Sequence, residues 1–478
     1  MRKSILHIFI VALVAATTFV VGCSKDETKS FDVPSKGIII SKLGGEGTTS
    51  FDSRNITSII PSSIPKGWEI VNIDMYSSTI TVKAPKSFDD GEVENGTLDL
   101  KGFTPTGNTV TKSIYVAYVP REVTFSDAAN CYVATKADTR YFFNPMIGGS
   151  STSLATERVE LLWETRKDLV KYLDMRDGVV SFYVSSSADD ETKVDTGNAL
   201  IGAYDASGEL IWSWHIWVTN NDPVADENVI ELGGRSVMNI NLGAYCNSNA
   251  STDGATIYDS YGLYYQWGRK DPFVGPQRYN FPGNFDASLY NKKGFNCNLD
   301  YQASTSETGS VAWATSHPMA IILGDKDNGY DWLYGGHDDA LWGDAKTESD
   351  PCPAGWRVAD ASVFENLTIA TAYDDMPWRE AQHLYGWMLT DTTTGVEHFF
   401  TAQGRRNYLD GRLDIVNDDE MRPVPWSGYY WTTTLAEKDA DATALFFDLN
   451  SATRTWNGFD AKCAMHRANA LPVRCVKE

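Results

Sequence analysis

Two apolar runs separated by a short polar turn decide the fold class of this chain. They read Ala199-Leu200-Ile201-Gly202-Ala203-Tyr204 and Leu210-Ile211-Trp212-Ser213-Trp214-His215-Ile216-Trp217-Val218, around the turn Asp205-Ala206-Ser207-Gly208. Two β-rich runs flanking a turn with Asp and Gly are typical of a β-hairpin. Successive side chains of a strand point to opposite faces, so one face of the second run carries Leu210, Trp212, Trp214, Ile216 and Val218. We predict that this face lies in a hydrophobic core.

The aromatic stripe of the hairpin has two interpretations. A row of tryptophans is able to stack on a sugar, but strict alternation within a strand is what burial requires, and the core interpretation is favoured. His215, on the other face, is predicted to be a hydrogen-bonded structural residue, because no other His or Cys stands at metal-ligand spacing.

Short β-rich runs also fill the N-terminal part of the chain. They are Ile38–Ile40, Trp68–Ile73, Thr79–Val82, Thr97–Leu100 and Ser113–Tyr118. Gly, Pro, Ser and Asp separate them, which predicts a β-sandwich over residues 36–120. With Lys66-Gly67-Trp68 leading into a strand, this unit resembles the BACON and related immunoglobulin-like modules of bacterial lipoproteins. The hairpin belongs to a second predicted β-sandwich unit, residues 121–225.

Four sequence blocks follow in the C-terminal half. They are Tyr261–Arg269, Asp350–Val358, Gly428–Thr434 and Leu471–Val476, with the motifs YGLYYQW, CPAGW, YYWTTT and VRC. In this order they resemble the Fibrobacter succinogenes major paralogous domain, over residues 226–478. The departures are mild: no proline precedes Asp360, and threonines replace two serines in the third block.

The resemblance implies an α+β, C-type-lectin-like fold for this domain. It further implies a disulfide between Cys352 and Cys475 and a helix beginning near Ala361 after an Asp360 cap. Tyr430 and Trp431 lie inside a block and are expected in the core. The whole chain is thus predicted to be mostly β, with two sandwich units before a lectin-like domain.

The N-terminus predicts export. Basic Arg2 and Lys3 precede the apolar run Ile5–Val20, which is too short for a stable membrane span, and Gly22 before Cys23 suits a cleavage site. The segment resembles the lipobox of bacterial lipoproteins, which implies that Cys23 is acylated. The alternative is an ordinary secretory signal with a coincidental cysteine.

Under the lipobox interpretation, residues 1–22 are a signal peptide and residues 23–35 a lipidated tether. The charged Lys25-Asp26-Glu27 resembles surface-export signals of Bacteroidetes lipoproteins. We expect the protein at the outer membrane, lipid-anchored and exposed at the cell surface.

Charge narrows the class of partner. The chain of 478 residues has a formal net charge of −22, so it repels nucleic acid and anionic lipid. Six cysteines remain beside Cys23, namely Cys131, Cys246, Cys297, Cys352, Cys463 and Cys475. In an exported protein they allow three disulfides.

No catalytic constellation stands out in the sequence. H-E-x-x-H, Walker and G-x-S-x-G motifs are absent, and Cys463 and Cys475 are a poor match to the reactive pair of formylglycine-generating enzymes. The acidic run Asp325–Asp331 offers oxygen ligands at calcium-like spacing, but Gly336 stands where an EF-hand needs its last ligand. Calcium is therefore conceivable but unsupported, and we expect neither cofactor nor enzymatic activity.

A basic and aromatic island at Arg405–Arg412 is the best candidate for binding. Arginine pairs with carboxylates and aromatic rings stack on sugars, which singles out Arg406, Tyr408, Asp410 and the later Trp456 as ligand-binding residues. The alternative is internal ion pairing and core packing. We expect a surface protein that binds an extracellular glycan or protein, with a fimbrial tip or structural subunit and a carbohydrate-active or formylglycine-generating-like enzyme as alternatives.

Overall fold

The computed structural model describes most of the chain in two compact units. The described residues are 28–87, 93–150, 152–247, 258–275, 288–369, 386–414, 416–417, 423–424, 427–437, 441–450 and 455–478. The units meet in sequence between Val119 and Pro120, beside the boundary predicted after residue 120. The signal peptide and Cys23 lie outside the described residues.

The first unit is built from strands β1 to β9. They are β1 Ser30–Asp32, β2 Ile38–Ile40, β3 Glu46–Ser50, β4 Asp52–Arg54, β5 Ser58–Ser63, β6 Glu69–Asp74, β7 Thr79–Lys83, β8 Gly96–Phe103 and β9 Thr109–Tyr118. One sheet has the order β2-β9-β8-β5, a second has the order β3-β7-β6, and β1 pairs with β4.

Alternation along these strands builds one shared core. On β8, Leu98 and Leu100 are buried, while Asp99 between them accepts a hydrogen bond from Ser113 Oγ at 2.6 Å. Ile80 of the second sheet packs in the same core. Two sheets sharing one core make this unit a β-sandwich, as predicted.

The second unit begins with strands β10 to β17. They are β10 Arg121–Phe125, β11 Cys131–Ala134, β12 Thr139–Phe143, β13 Arg158–Glu164, β14 Lys171–Arg176, β15 Val179–Val184, β16 Gly197–Tyr204 and β17 Leu210–Val218. One sheet has the order β10-β12-β15-β14 and the other contains β11-β17-β16-β13. Side chains from both sheets form one core, so these strands are a second sandwich.

The predicted hairpin is the pair β16–β17. Its turn is fixed by Asp205, whose Oδ1 accepts from Ser207 N at 2.9 Å and Glu209 N at 3.0 Å. Trp214 is fully buried in the sandwich core, which confirms the core interpretation of the aromatic stripe. His215 is also buried, with Nε2 at 2.8 Å from Asn198 Oδ1, as expected of a structural histidine.

The opposite face of β17 is buried as well. Trp217 is 0% exposed and packs in a different core, together with Trp431 and Cys352 from the C-terminal half. Residues 121–225 and 226–478 therefore lie in one compact unit. Alternation revealed the first core, but the second core forms only when distant parts of the chain cover the outer face of the sheet.

The rest of the second unit consists mainly of short strands. They are β18 Val229–Leu232, β19 Arg235–Met238, β20 Tyr265–Gln266, β21 Leu289–Tyr290, β22 Asn296–Cys297, β23 Asp300–Ala303, β24 Ala320–Leu323, β25 Trp356–Val358, β26 Leu367–Ile369, β27 Gly386–Asp391, β28 Glu397–Thr401, β29 Arg405–Arg406, β30 Leu413–Asp414, β31 Val416–Asn417, β32 Pro423–Val424, β33 Ser427–Leu435, β34 Asp441–Asn450, β35 Thr455–His466, β36 Ala470–Leu471 and β37 Cys475–Lys477. The α-helix α1 spans Val311–Ser316, and 3₁₀ turns span Asp226–Asn228, Lys326–Asn328 and Ala361–Val363. None of the described helices is long and apolar enough to cross a membrane.

These strands form several small sheets around a continuous core. Their orders are β18-β19-β37-β25, β20-β36-β29-β30, β33-β34-β35 and β26-β27-β28, while β21 and β22 extend the hairpin sheet beyond β13. The four sequence blocks supply much of this core, including Trp267, Trp356, Trp431 and Val473. Tyr430 is also buried, as expected, in a neighbouring core.

The disulfide implied by the resemblance is present. Cys352 and Cys475 are bonded, with their Cα atoms 6.0 Å apart, and tie the segment before β25 to β37. Cys131, Cys297 and Cys463 are free thiols. Of the three disulfides that the cysteine count allowed, the described residues form one.

The helix expected near Ala361 is only a 3₁₀ turn. Asp360 is its cap, accepting from Ser362 N at 3.2 Å, but the turn ends at Val363 and the chain enters β26 at Leu367. Val363 and Phe364 are buried in a core beside β27, and this packing takes the place of helical extension.

Candidate functional site

The basic and aromatic island divides between the interior and the surface. Arg406 lies on β29 and is 1% exposed. Its guanidinium donates from Nε to Val274 O at 2.9 Å and from Nη1 to Gly411 O at 3.0 Å, and it lies over the Tyr264 ring. Arg406 therefore holds two loops together inside the protein. This corrects the expectation that it is available to a ligand.

Tyr408 lies at the surface in a cluster of three rings. The cluster, which we name the aromatic patch, consists of Tyr330, Tyr408 and His466, each half-buried. Ring centroids are 4.9 Å apart for Tyr330 and Tyr408, 4.8 Å for Tyr330 and His466, and 4.7 Å for Tyr408 and His466. The three rings are thus in mutual contact and still partly open to water.

Backbone and side-chain contacts fix the aromatic patch. Gly324 N donates to Tyr408 O at 2.7 Å, and Ala468 N donates to Tyr330 O at 3.2 Å. Asp441 Oδ1 lies 2.6 Å from His466 Nδ1 and orients the imidazole. Tyr330 itself has a φ of 58°, a left-handed conformation that a bulky residue rarely adopts. The rings are therefore held in place before any ligand arrives.

A buried arginine directly follows His466 of the patch in the sequence. Arg467 is 3% exposed, lies over the Trp267 ring at 4.3 Å, and contacts Asp339 Oδ1 through Nη2 at 2.5 Å. The Asp339 side chain is 54% exposed, so its carboxylate contacts the buried Arg467 and is also open to water. Asp339 was not singled out from the sequence, since acidic residues are common in this chain.

A second carboxylate near Arg467 is fully buried. Asp331 Oδ1 accepts from Leu333 N at 3.1 Å, whereas Oδ2 has no hydrogen-bond partner among the described residues and faces His337 Nδ1 at 3.6 Å. Burial raises the pKa of Asp331 to about 7, and the nearby Arg467 charge partly offsets that effect. The His337 side chain is 31% exposed.

The other two predicted binding residues, Asp410 and Trp456, are not part of the aromatic patch as described. Asp410 is exposed in the turn after Tyr408, and its Oδ1 accepts from Arg412 N at 3.0 Å. Trp456 stands on β35, but its side chain lies outside the described residues. Of the four predicted residues, the structure thus places Tyr408 in the aromatic patch. Asp410 lies in the exposed turn that follows it.

The acidic run Asp325–Asp331 forms an ordinary turn around a 3₁₀ helix. Asp325 Oδ1 accepts from Asp327 N at 2.8 Å, and Gly329 closes the turn in a left-handed conformation. In the described part of the chain, no three His, Cys, Asp or Glu side chains are grouped so as to hold a metal ion.

Sequence alone gave no signal for most of the patch. Tyr330 and His466 are far apart in the chain and belong to none of the four blocks. The folding of β35 and the 325–331 turn against the Tyr408 loop brings them together. The useful signal was local, an aromatic residue within a basic stretch.

Comparisons with known proteins leave the family open. No protein-family model matches the chain, and no curated protein matches it in sequence. Among solved structures, the D00-D0 domain of intimin is similar at 8% identity, over 39% of this chain and 96% of that chain, with a TM-score of 0.19. The Yersinia pseudotuberculosis adhesin InvE is similar at 11% identity, over 50% of this chain and 76% of that chain, with a TM-score of 0.16.

A third similar structure is SGBP-B of the Bacteroides ovatus mixed-linkage glucan utilization locus, solved with a mixed-linkage heptasaccharide. Identity is 12%, over 37% of this chain and 43% of that chain, with a TM-score of 0.12. At TM-scores this low, no functional conclusion follows. The mostly-β class rests on the sheets of the protein itself.

Proposed function

We propose that this protein is a cell-surface lipoprotein that binds an extracellular glycan through the aromatic patch of its second unit. The observation that carries the proposal is the arrangement of Tyr330, Tyr408 and His466, three half-buried rings in mutual contact at the surface. A sugar ring has an apolar C–H face that packs against aromatic surfaces, while its hydroxyl groups need polar partners at the border.

Preorganisation supports a binding role for the patch. A flexible tyrosine loses rotamer freedom on binding, at a cost of about 0.5–1.5 kcal/mol for a rotamer-rich side chain. Here Tyr408 is packed edge-on against Tyr330 and His466, and Asp441 holds His466, so much of that cost is met during folding. A surface that merely completes a core does not require three partly exposed rings held in mutual contact.

The lipid anchor and the location belong to the same proposal. Cys23 after an apolar export segment is the acylation site, and the acyl chains hold the protein on the outer membrane. The sandwich unit of residues 36–120 then corresponds to a BACON or immunoglobulin-like module, and residues 226–478 to a major paralogous domain of C-type-lectin-like fold. The order of the four blocks along the chain and the Cys352–Cys475 bond support this assignment.

A polysaccharide screen tests the proposal. The detergent-purified protein is run by affinity electrophoresis in gels containing konjac glucomannan, xyloglucan, laminarin, polygalacturonate or chondroitin sulfate, and positives are measured by titration calorimetry. We expect at least one polysaccharide to retard the protein and Tyr408→Ala to weaken binding at least tenfold.

Tyr76→Ala is the matched control, because Tyr76 is fully exposed on the first unit. It should bind like the unchanged protein. Binding that survives Tyr408→Ala, or a protein that binds none of the polysaccharides but captures a protein ligand, would overturn the glycan proposal.

A further inference from the structure

A cavity of the second unit shares no lining residue with the aromatic patch. We name it the polar cleft; its volume is about 720 Å³, and its walls come from loops of the second sandwich, from β19 and from the segments on either side of Cys352. That volume lies within the about 300–1,000 Å³ that is usual for small-molecule sites. Asp344, Ala345 and Gly355 in its walls are exposed, so the cleft opens to water.

Small residues give the cleft its width. Five of its eleven lining residues are alanine or glycine, namely Ala128, Gly149, Ala345, Ala354 and Gly355. Gly355 has a φ of 75°, and a Cβ added there would have no neighbour within 4 Å, so the backbone at this position borders open space. None of the lining residues is aromatic. The cleft therefore offers polar groups and bare backbone, and it lacks the rings on which a sugar stacks.

One basic side chain of the cleft is fully engaged inside the protein. Lys346 Nζ donates to Asp350 Oδ1 at 3.0 Å and to Cys352 O at 2.8 Å. A third bond runs to Trp356 O at 2.6 Å, and the Lys346 side chain is 7% exposed. An ammonium group has three donor hydrogens, so all of them are used. Lys346 supports the wall and is not available to a ligand.

Two arginines of the cleft share one carboxylate. Arg357, whose side chain is 4% exposed, donates from Nη2 to Asp360 Oδ2 at 2.9 Å. Arg235 Nη1 lies 3.8 Å from the same oxygen. Burial opposes ionisation of Asp360, but hydrogen bonds from Ser362 and Arg357 and the charges of both arginines hold its pKa below the usual value. Since guanidinium groups stay protonated in proteins, one positive charge of this group remains uncompensated.

Arg235 is the basic group that is open to a ligand. Its side chain lines the cleft and is 37% exposed, and Nη2 donates to Lys477 O at 3.3 Å. Nε has no hydrogen-bond partner among the described residues. A guanidinium presents its donors in a planar fork that matches a carboxylate. A carboxylate in the cleft therefore finds an unpaired donor and an uncompensated charge on one side chain.

Three carboxyl groups restrict the rest of the ligand. Asp127, Asp344 and Glu478 also line the cleft, and all three are exposed. Carboxyl oxygens accept hydrogen bonds, so they suit N–H or O–H groups of a ligand. A molecule with many anionic groups is disfavoured, because one surplus guanidinium faces three acidic side chains in a chain of net charge −22.

We propose that the polar cleft binds a small molecule with one carboxylate, which Arg235 holds, and with amine or hydroxyl donors that face Asp127, Asp344 or Glu478. The site is separate from the aromatic patch, so this proposal does not depend on the proposed function. Two kinds of molecule share the required chemistry, a short peptide with a free carboxyl end and a sugar acid.

Paired probes test the carboxylate and distinguish its source. The detergent-purified full-length protein is titrated by calorimetry with trialanine, trialanine amide, galacturonic acid and the methyl ester of galacturonic acid. Each acid differs from its blocked partner only at the carboxylate. We expect at least one acid to bind and its blocked partner to bind at least tenfold more weakly. Binding of trialanine identifies the peptide source, and binding of galacturonic acid identifies the sugar acid.

Arg235→Gln is the central variant and should weaken binding of the acid at least tenfold. Arg235→Lys, which keeps the charge but loses the fork, should restore part of it. Arg166→Gln is the matched control, because Arg166 is 54% exposed and forms a surface ion pair with Asp195 at 3.4 Å. The Arg166→Gln and Tyr408→Ala proteins should both bind the acid within twofold of the unchanged protein.

A second variant tests the cleft without replacing Arg235. Ala345→Trp places a large ring in the wall at an exposed position and should also weaken binding of the acid at least tenfold. If the Arg235→Gln protein does not fold, Ala345→Trp decides, and binding that survives it would overturn the proposal.

Two further results would also overturn the proposal. One is that neither acid binds, and the other is that a blocked partner binds as tightly as its acid. Loss of acid binding in Tyr408→Ala would assign the carboxylate ligand to the aromatic patch, and the polar cleft would then be wrong as its site.

Discussion

Asp441 Oδ1 lies 2.6 Å from His466 Nδ1, and this contact holds the His466 ring against both Tyr330 and Tyr408. The Asp441 side chain is 11% exposed and that of His466 is 33% exposed, so a mostly buried carboxylate positions a partly exposed ring. Asp441 begins β34 and His466 ends β35, and the register pairs the two residues directly. The sheet therefore positions the aromatic patch.

Arg406 and its neighbour Arg405 should respond very differently to replacement. Arg406→Ala leaves Val274 O and Gly411 O without their buried donor, which should lower the free energy of unfolding by at least about 2 kcal/mol. Arg405 forms a surface ion pair with Asp414, and Arg405→Ala should cost at most about 1 kcal/mol. Urea unfolding followed by tryptophan fluorescence measures both, and equal effects would contradict the assignment of Arg406 to the interior.

Loss of the Cys352–Cys475 bond should destabilise the second unit. Removing a native disulfide that closes a long loop costs about 2–5 kcal/mol, so Cys475→Ser should lower the unfolding midpoint clearly. Cys463→Ser is the control, since Cys463 is a free thiol. Peptide mapping without reductant should recover the 352 and 475 peptides joined, and a free thiol at either position in exported protein would refute the pairing.

Acid should destabilise the protein partly through His215. Burial lowers the pKa of His215 to about 3, while an unfolded histidine titrates near 6.5. The unfolded chain therefore binds a proton that the fold excludes, and stability present above about pH 6.5 is lost as pH falls towards 3.

The slope due to this residue is at most about 1.4 kcal/mol per pH unit. His215→Gln should flatten the dependence of unfolding free energy on pH between about 4 and 6.5, although it lowers stability at pH 7. His317, which is exposed, provides the control variant His317→Gln. A His215→Gln profile parallel to that of the unchanged protein would show that His215 does not titrate as described.

Acylation of Cys23 predicts a defined mature N-terminus. Mass spectrometry of membrane-extracted protein should find lipid on Cys23 and no residue before it. Cys23→Ser should release the protein from membranes or leave its export segment uncleaved. Recovery of the Cys23→Ser protein still lipid-anchored would rule out this cysteine as the anchor.

The sequence predicted the positions of the strands more accurately than it predicted which segments pack against them. Alternation around Trp214 correctly located one core, because a half-buried strand has a period of two. Trp217 has the same alternation on the opposite face, yet nothing local reveals that Trp431, far along the chain, packs on it. Burial of both faces is a tertiary property that no local pattern encodes.

The candidate site was predictable only at Tyr408. Its position in a basic, aromatic stretch drew attention to the loop, but the same stretch contains Arg406, whose guanidinium is paired with backbone carbonyls inside the protein. Composition cannot distinguish an arginine that faces solvent from one that satisfies buried carbonyl groups. Tyr330 and His466 join the patch through long-range packing, which no local pattern encodes.

The most direct measurement of the central claim is hydroxyl-radical footprinting of the protein with and without the polysaccharide that binds it most tightly. Oxidation at Tyr330 and Tyr408, read by mass spectrometry, should fall at least threefold on saturation, while oxidation at Tyr76 on the first unit stays unchanged. A tightly bound polysaccharide that leaves Tyr330 and Tyr408 as reactive as before would contradict the assignment of the aromatic patch as the binding site.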